Sequence, residues 1–303
     1  MNYAEELDQA DNSQHDVLDR DQSAKIRNFG LNELRPGSLD LSYASSADEL
    51  KKSFSLVYES YLKRGLVPTA KSHKMLFSIY SLLPGTVHAV AKHKENAVSN
   101  LTGIPNTEEF GLPMDALYKS ELDRLRDLGR NIVELSSLAT MCEYRGKNLF
   151  LYQIQAMYWY FIYQGVDDIC IMVHPRHKKY YKKLFPFEDM GPVRHYSKVN
   201  APAVGLRGNL YKSLECMMAL SKKFPFNIPL YRYINSLINN TYKRYRQYRN
   251  NGNFQLMLLH NNLSGNAIKY FMKLEPGIAR GLNHTQLKCL GRVNPDLMLA
   301  KAC

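Results

Sequence analysis

The chain has 303 residues, 45% of them apolar and 11% aromatic, and a formal net charge of +12. Such a chain is long enough to bury one large core or two modest ones and too apolar to be disordered. No apolar run approaches the ~20 residues that span a bilayer. The first residues carry neither a basic start nor an apolar centre, so no secretory leader is expected. The charge is uneven: residues 1–22 hold seven acids against Arg20, a local net of −6, which leaves +18 on the remainder. A basic body favours an acidic partner, whether nucleic acid, anionic lipid or acidic protein. Cys142, Cys170, Cys216, Cys289 and Cys303 form no C-x-x-C, so reduced thiols in a cytoplasm are expected.

In chain order, residues 1–22 have too few apolar positions to pack and read as an acidic disordered tail. Residues 38–45, SLDLSYAS, alternate like a first strand. Ser46 then caps a helix, with Glu49 completing a capping box; Leu50, Phe54, Val57, Tyr58 and Tyr61 share its apolar face, and Gly65 ends it. Residues 86–92 and 97–104 alternate on either side of the polar turn HKEN and predict a hairpin. A polar connection over 105–128 closes on the short helix ALYKSELDRLRDL. An apolar strand is expected over 131–141, an aromatic-rich helix over 147–164, a strand over 168–174 and a helix after Pro175. Two further strands are expected near 194–199 and 203–210. This order implies a mixed α/β sheet with helices on both faces. Residues 211–303 read as mostly helical, either a second lobe or an extension packed on the first.

The stretch Leu138-Ala139-Thr140-Met141-Cys142-Glu143-Tyr144-Arg145-Gly146-Lys147-Asn148-Leu149-Phe150 resembles the acyl-cofactor segment LAVxPEYRGKGLG of the GCN5-related N-acyltransferase fold. Four other stretches resemble one branch of that fold, the N-acyl amino acid synthases related to acyl-homoserine-lactone synthases. Leu56-Val57-Tyr58-Glu59-Ser60-Tyr61-Leu62 with Gly65 is similar to LVYxxYxxxGY, and Gly111-Leu112-Pro113-Met114-Asp115 to GLPLD. Glu134-Leu135-Ser136-Ser137-Leu138-Ala139 is similar to ExSxLAV. His174-Pro175-Arg176-His177, with Tyr181, Gly191, Arg194, Tyr196 and Ala201-Pro202-Ala203-Val204, is similar to PRHxxFY…GxxRxY…APAV. The resemblance covers about residues 38–210, so the expected organisation is an acyltransferase domain over 23–210 followed by the helical region 211–303.

An amine that attacks a thioester must lose a proton while the carbonyl oxygen gains charge and a thiolate departs. The site therefore needs a base, hydrogen-bond donors and a proton for sulfur. The resemblance places main-chain groups of Leu138 and Thr140 against the donor's pantetheine. It puts a functional glutamate at Glu134, a carboxylate in an apolar strand where burial should raise its pKa. The other reading of Glu134 is a partner for a nearby cation or a cap on a loop. Ser136 shares Glu134's face of the strand and either orients the reacting groups or is a small core residue. Ser137 stands where the lactone synthases usually carry an Arg, which argues against a lactone-forming substrate. Tyr181 aligns with a tyrosine that protonates the leaving thiolate, or else packs in the core.

Asn148 and Phe150 replace two glycines that let helix-start amides approach the two phosphates of coenzyme A. A phosphopantetheine arm has one phosphate and tolerates that loss, so the expected donor is an acyl carrier protein, with acyl-CoA possible. Arg145, Lys147 and Arg176 would face the donor, and Lys178, Lys179, Lys182 and Lys183 would dock the acidic carrier; solvated lysines are the alternative. No metal-binding set of residues is present. The competing non-enzyme reading rests on 242–249, YKRYRQYR, where basic and aromatic residues interleave. That stretch reads as a basic helix face or a shallow membrane contact rather than a site for specific nucleic acid. Other acyltransferase readings are a signal synthase acting on a different amine and a coenzyme A-dependent enzyme.

Overall fold

The computed structural model describes residues 39–44, 46–67, 71–145, 149–213, 263 and 265–293. The acidic residues 1–22 and the basic stretch 242–249 lie outside that set. Strand β1 (Asp40–Tyr43) leads to helix α1 (Ala47–Leu62), then β2 (Val87–His93), β3 (Asn96–Pro105), α2 (Asp115–Asp127), β4 (Ile132–Thr140) and α3 (Leu149–Tyr163). After these come β5 (Asp168–Val173), α4 (Pro175–Leu184), the short β6 (Glu188–Asp189) and β7 (Arg194–Tyr196), β8 (Ala201–Asn209), α5 (Gly265–Leu274) and α6 (His284–Val293).

Local chemistry sets the element ends. Ser46 accepts the Glu49 amide at 3.2 Å to start α1. The β2–β3 hairpin closes through Lys94 and Glu95, with His93 opposite Asn96. Pro175, whose missing N–H costs nothing at a first helical position, opens α4, and His174 accepts the Arg176 amide at 3.2 Å.

The sheet runs β1-β2-β3-β4-β5-β8-β6, with β7 beside β8, and only β4–β5 is parallel. Strand alternation sends neighbouring residues to opposite cores. Ala89, Leu101 and Val133 pack with Met157, Phe161 and Ile162 of α3. Val90 joins Leu50, Phe54 and Val57 of α1, and Ile132 joins Tyr118 and Leu122 of α2. α3 approaches β3 closely at Gly103, where a Cβ would come within 2.5 Å of the Phe161 ring. Helix α5 packs into the α1 core: the Phe271 ring lies 5.1 Å from both Phe54 and Phe77. No helix among the described residues is long and apolar enough to cross a membrane.

Candidate active site

Strands β4 and β5 pair only from Ile132–Asp168 to Leu135–Ile171. Beyond that point β4 continues against β3 to Thr140, while β5 continues against β8 to Val173. The divergence has a local cause. Asn100 faces Ala139 but Thr102 faces Ser136, so β4 carries one extra residue there. Ser137 takes up the excess in a left-handed conformation, φ +53°. A bulge of this kind bends its strand and increases the twist. Between the parted strands lies a cleft of about 1040 Å³, at the upper end of the ~300–1,000 Å³ usual for small-molecule sites.

Glu134 lines this cleft with only 2% of its surface exposed. One carboxylate oxygen, Oε2, accepts the Met114 amide at 2.8 Å. Burial pushes its pKa up to about 8; the Met114 amide opposes that rise, the Asp115 charge adds to it, and Lys198 opposes it. The Met114 amide is delivered by a stiff turn. Gly111 sits at φ +62°, and a Cβ there would run into the Asp115 carboxylate. That carboxylate accepts the Leu112 amide at 2.6 Å and is held by two Arg126 nitrogens at 2.6 and 2.8 Å. Arg126 also reaches the side-chain oxygen of Asn106 at 2.8 Å. The Gly-Leu-Pro-Met-Asp stretch therefore anchors the glutamate.

Ser136, Ser137 and Leu138 line the cleft beside Glu134. Thr140 does not: its hydroxyl meets that of Ser99 at 2.8 Å, and its carbonyl accepts Arg145 Nε at 3.3 Å. Tyr181 lines the cleft edge-on to Phe150, with ring centroids 5.7 Å apart. Burial raises its hydroxyl pKa, with Tyr180 and Tyr61 adding to the effect. Phe150 and Ile154 present the α3 face to the cleft, where they meet Leu101, Leu138, Ile171 and Phe187 in an apolar wall.

Arg64, Arg145, Arg176 and His177 also line the cleft. Arg176 Nε lies 3.1 Å from His177 Nε2, and burial followed by the charges of Arg176, His174 and Arg64 lowers the His177 pKa. A neutral imidazole accepts that bond. Lys178 and Lys182 lie outside the lining and share Asp189 of β6, at 2.5 and 3.3 Å. Lys179 is exposed near them. Lys147 and the Lys183 side chain fall outside the described residues.

Lining residues that the sequence does not mark as site residues include Tyr61, Arg64, Lys71, Tyr196, Lys198 and Glu275. Burial pushes the Tyr196 pKa up to about 12, with the Glu134 charge contributing next. Tyr61 and Tyr196 sit inside the quoted motifs, so the signal for them was present. Glu275 follows α5, far along the chain, and is held by Lys71 at 2.5 Å and His73 at 2.9 Å. No motif covers it.

Residues 52–209, just over half of the chain, match the model of the family described as N-acyl amino acid synthase FeeM. Among solved structures, the N-acyl amino acid synthase FeeM from uncultured soil microbes aligns with a TM-score of 0.52 at 21% identity, covering 58% of this chain and 94% of that one. A CoA-dependent acyl-homoserine lactone synthase, BjaI, aligns with a TM-score of 0.47 at 15% identity, covering 59% of this chain and 87% of that one. Comparison with curated protein sequences finds no match.

Proposed function

The chain belongs to the N-acyl amino acid synthase family and is an acyltransferase, and from that premise we propose that it moves a fatty acyl group from an acyl-carrier-protein thioester to the α-amine of an amino acid. The observation that carries this reading is the cleft between β4 and β5, with a buried, hard-to-ionise glutamate at the point where the strands part and an apolar wall beyond it.

The donor's pantetheine lies along the unpaired edge of β4, with the Leu138 main chain as its partner. The acyl chain runs against Leu101, Phe150 and Ile154; each buried methylene contributes about 0.8 kcal/mol, so the wall favours a long chain. Glu134, ionised, takes a proton from the amine as nitrogen bonds to the thioester carbon, with Ser136 beside it to orient the amine. The oxyanion is met by main-chain N–H at the bulge. The carbon–sulfur bond then breaks, Tyr181 gives its proton to the departing thiolate, and solvent returns the Glu134 proton to the tyrosinate. A base near pKa 8 suits this work because it gives up little driving force near neutral pH. Lys198, close enough to bias Glu134, offers a cation for the acceptor's carboxylate.

Two features favour a carrier-bound donor. The Phe150 ring occupies the cleft where coenzyme A enzymes keep glycine. Arg145, Arg176, His177 and Arg64 suit a single phosphate and an acidic protein surface. Mass spectrometry of lipid extracts from cells overproducing the protein tests the reading: a fatty N-acyl amino acid should accumulate with the wild type and not with Glu134→Gln. Identical lipid profiles from both would overturn it.

A further inference from the structure

On the α1 side of the sheet, polar side chains occupy positions where an apolar core is expected. Ser53, His88, Asn100 and Thr102 are each at most 2% exposed. Their hydrogen bonds form one directed chain. His88 Nε2 lies 2.9 Å from the Ser81 carbonyl, which only accepts, so Nε2 carries the proton. Nδ1 then accepts the Thr102 hydroxyl at 3.0 Å. Burial holds the His88 pKa down to about 4, in keeping with a neutral ring. Having donated its proton, Thr102 Oγ1 accepts from Asn100 Nδ2 at 3.3 Å. Asn100 Oδ1 accepts the Ser53 hydroxyl at 2.7 Å. The second amide hydrogen of Asn100 goes to the Ser137 carbonyl at 2.9 Å. A flipped Asn100 amide would set oxygen against the Ser137 carbonyl, so its orientation is fixed.

The far end of the chain is thus the bulge itself. Ser137 is a non-glycine residue at positive φ, a conformation that persists only where its surroundings enforce it. Asn100 is not among the lining residues, and its side chain meets the lining strand at that carbonyl.

We propose that Asn100 is a positioning residue, whose amide pins the left-handed turn at Ser137 and thereby aims the Leu138 main chain at the acyl donor. The catalytic half of this statement rests on the proposed reaction; the structural half does not. The neutral His88–Thr102 pair supplies the fixed acceptor that prevents Asn100 from turning. Glycine adopts the left-handed region freely, so the need for Asn100 should shrink when Ser137 is glycine.

The test uses the full chain with Asn100→Leu, Ser137→Gly and the double variant, read by hydrogen exchange and by acyl transfer. The transfer assay uses palmitoyl-loaded acyl carrier protein and a mixture of the twenty amino acids. Asn100→Leu should speed amide exchange across 136–141 about tenfold and lower kcat about tenfold, with KM for donor within about twofold. In the Ser137→Gly background the kcat loss should be at least about threefold smaller, a coupling that general core damage would not produce. Unchanged exchange at 136–141, or equal losses in both backgrounds, overturns the proposal. If Asn100→Leu does not fold, Thr102→Val serves: about threefold faster exchange confined to 136–141 supports the relay, and uniform or absent change refutes it. If the wild type transfers no acyl group, the proposed reaction fails while exchange still decides what Asn100 holds.

Discussion

Replacing Glu134 by glutamine keeps the side chain's shape and an oxygen for the Met114 amide but removes its capacity to take a proton. Burial lifts the carboxyl from 4.5 to about 8, which corresponds to an energy on the order of 5 kcal/mol separating its two protonation states. The folded pKa is the higher one. The neutral form's contribution to stability is therefore full below about 4.5, declines as pH rises, and is lost by about 8. Glutamine does not titrate. The melting temperature of the wild type, compared with that of Glu134→Gln, should fall steadily between these limits and then run parallel to it.

In the proposed reaction activity has the opposite slope, because a base works only when ionised. For the wild type, kcat/KM should rise about tenfold per pH unit up to about 8 and then level, whereas Glu134→Gln should lose that limb and about 10²–10⁴ in rate. The acceptor amine also titrates, so the profile is best measured with a weakly basic alkoxyamine-type acceptor, over the part of the range in which its nitrogen stays neutral. A glutamine variant that keeps both the limb and the rate removes Glu134 as the base. A constant melting difference from pH 5 to 8 refutes the burial argument itself.

Tyr181→Phe preserves the ring against Phe150 and should lower kcat by about 10–10²-fold for alkyl thioesters, with little loss for thiol leaving groups of low pKa; equal losses for both leave it a packing residue. Lys178, Lys179 and Lys182 reversed to Glu should raise KM for carrier-bound donor at least tenfold more than for a pantetheine thioester, and equal effects on the two would discredit docking. Asp189 loses both of its lysine partners in that variant, so thermal stability is to be measured alongside. Gly103→Ala should cost about 1–3 kcal/mol in chemical denaturation, because its Cβ would fall 2.5 Å from the Phe161 ring; an unchanged midpoint would show that α3 shifts freely.

Where side-chain period and end signals agree, the sequence was sufficient. The Ser46 cap, the hairpin across Lys94 and Glu95, and the apolar strand from Ile132 all stand where pattern and turn chemistry place them. Glu134 could be found because a lone carboxylate in an apolar strand breaks the pattern. The bulge at Ser137 could not, since serine has no preference for the left-handed region and the extra residue shows only in the pairing register. His88, Asn100 and Thr102 looked like polar positions on an ordinary hairpin, and only burial shows that they satisfy one another. Glu275 was invisible for a different reason: its place in the cleft wall depends on how a distant helix packs against Phe54 and Phe77.

A buried glutamate that caps a loop and one that takes a proton are rival explanations in most proteins; in the proposed reaction one contact serves both. The Met114 amide favours the ionised form while burial disfavours it, and their balance sets the titration near 8. That balance depends on the turn, and the turn depends on Arg126 gripping Asp115. In Arg126→Gln the Asp115 charge loses its main partner and the Met114 amide loses its support. Both changes disfavour ionised Glu134, so they act in the same direction. The acid limb of kcat/KM should move to higher pH by at least half a unit, while the plateau above it changes far less. A limb that stays in place as the plateau collapses would mean that the turn holds substrate rather than tuning the base, and that the proton-taking role of Glu134 is independent of its anchor.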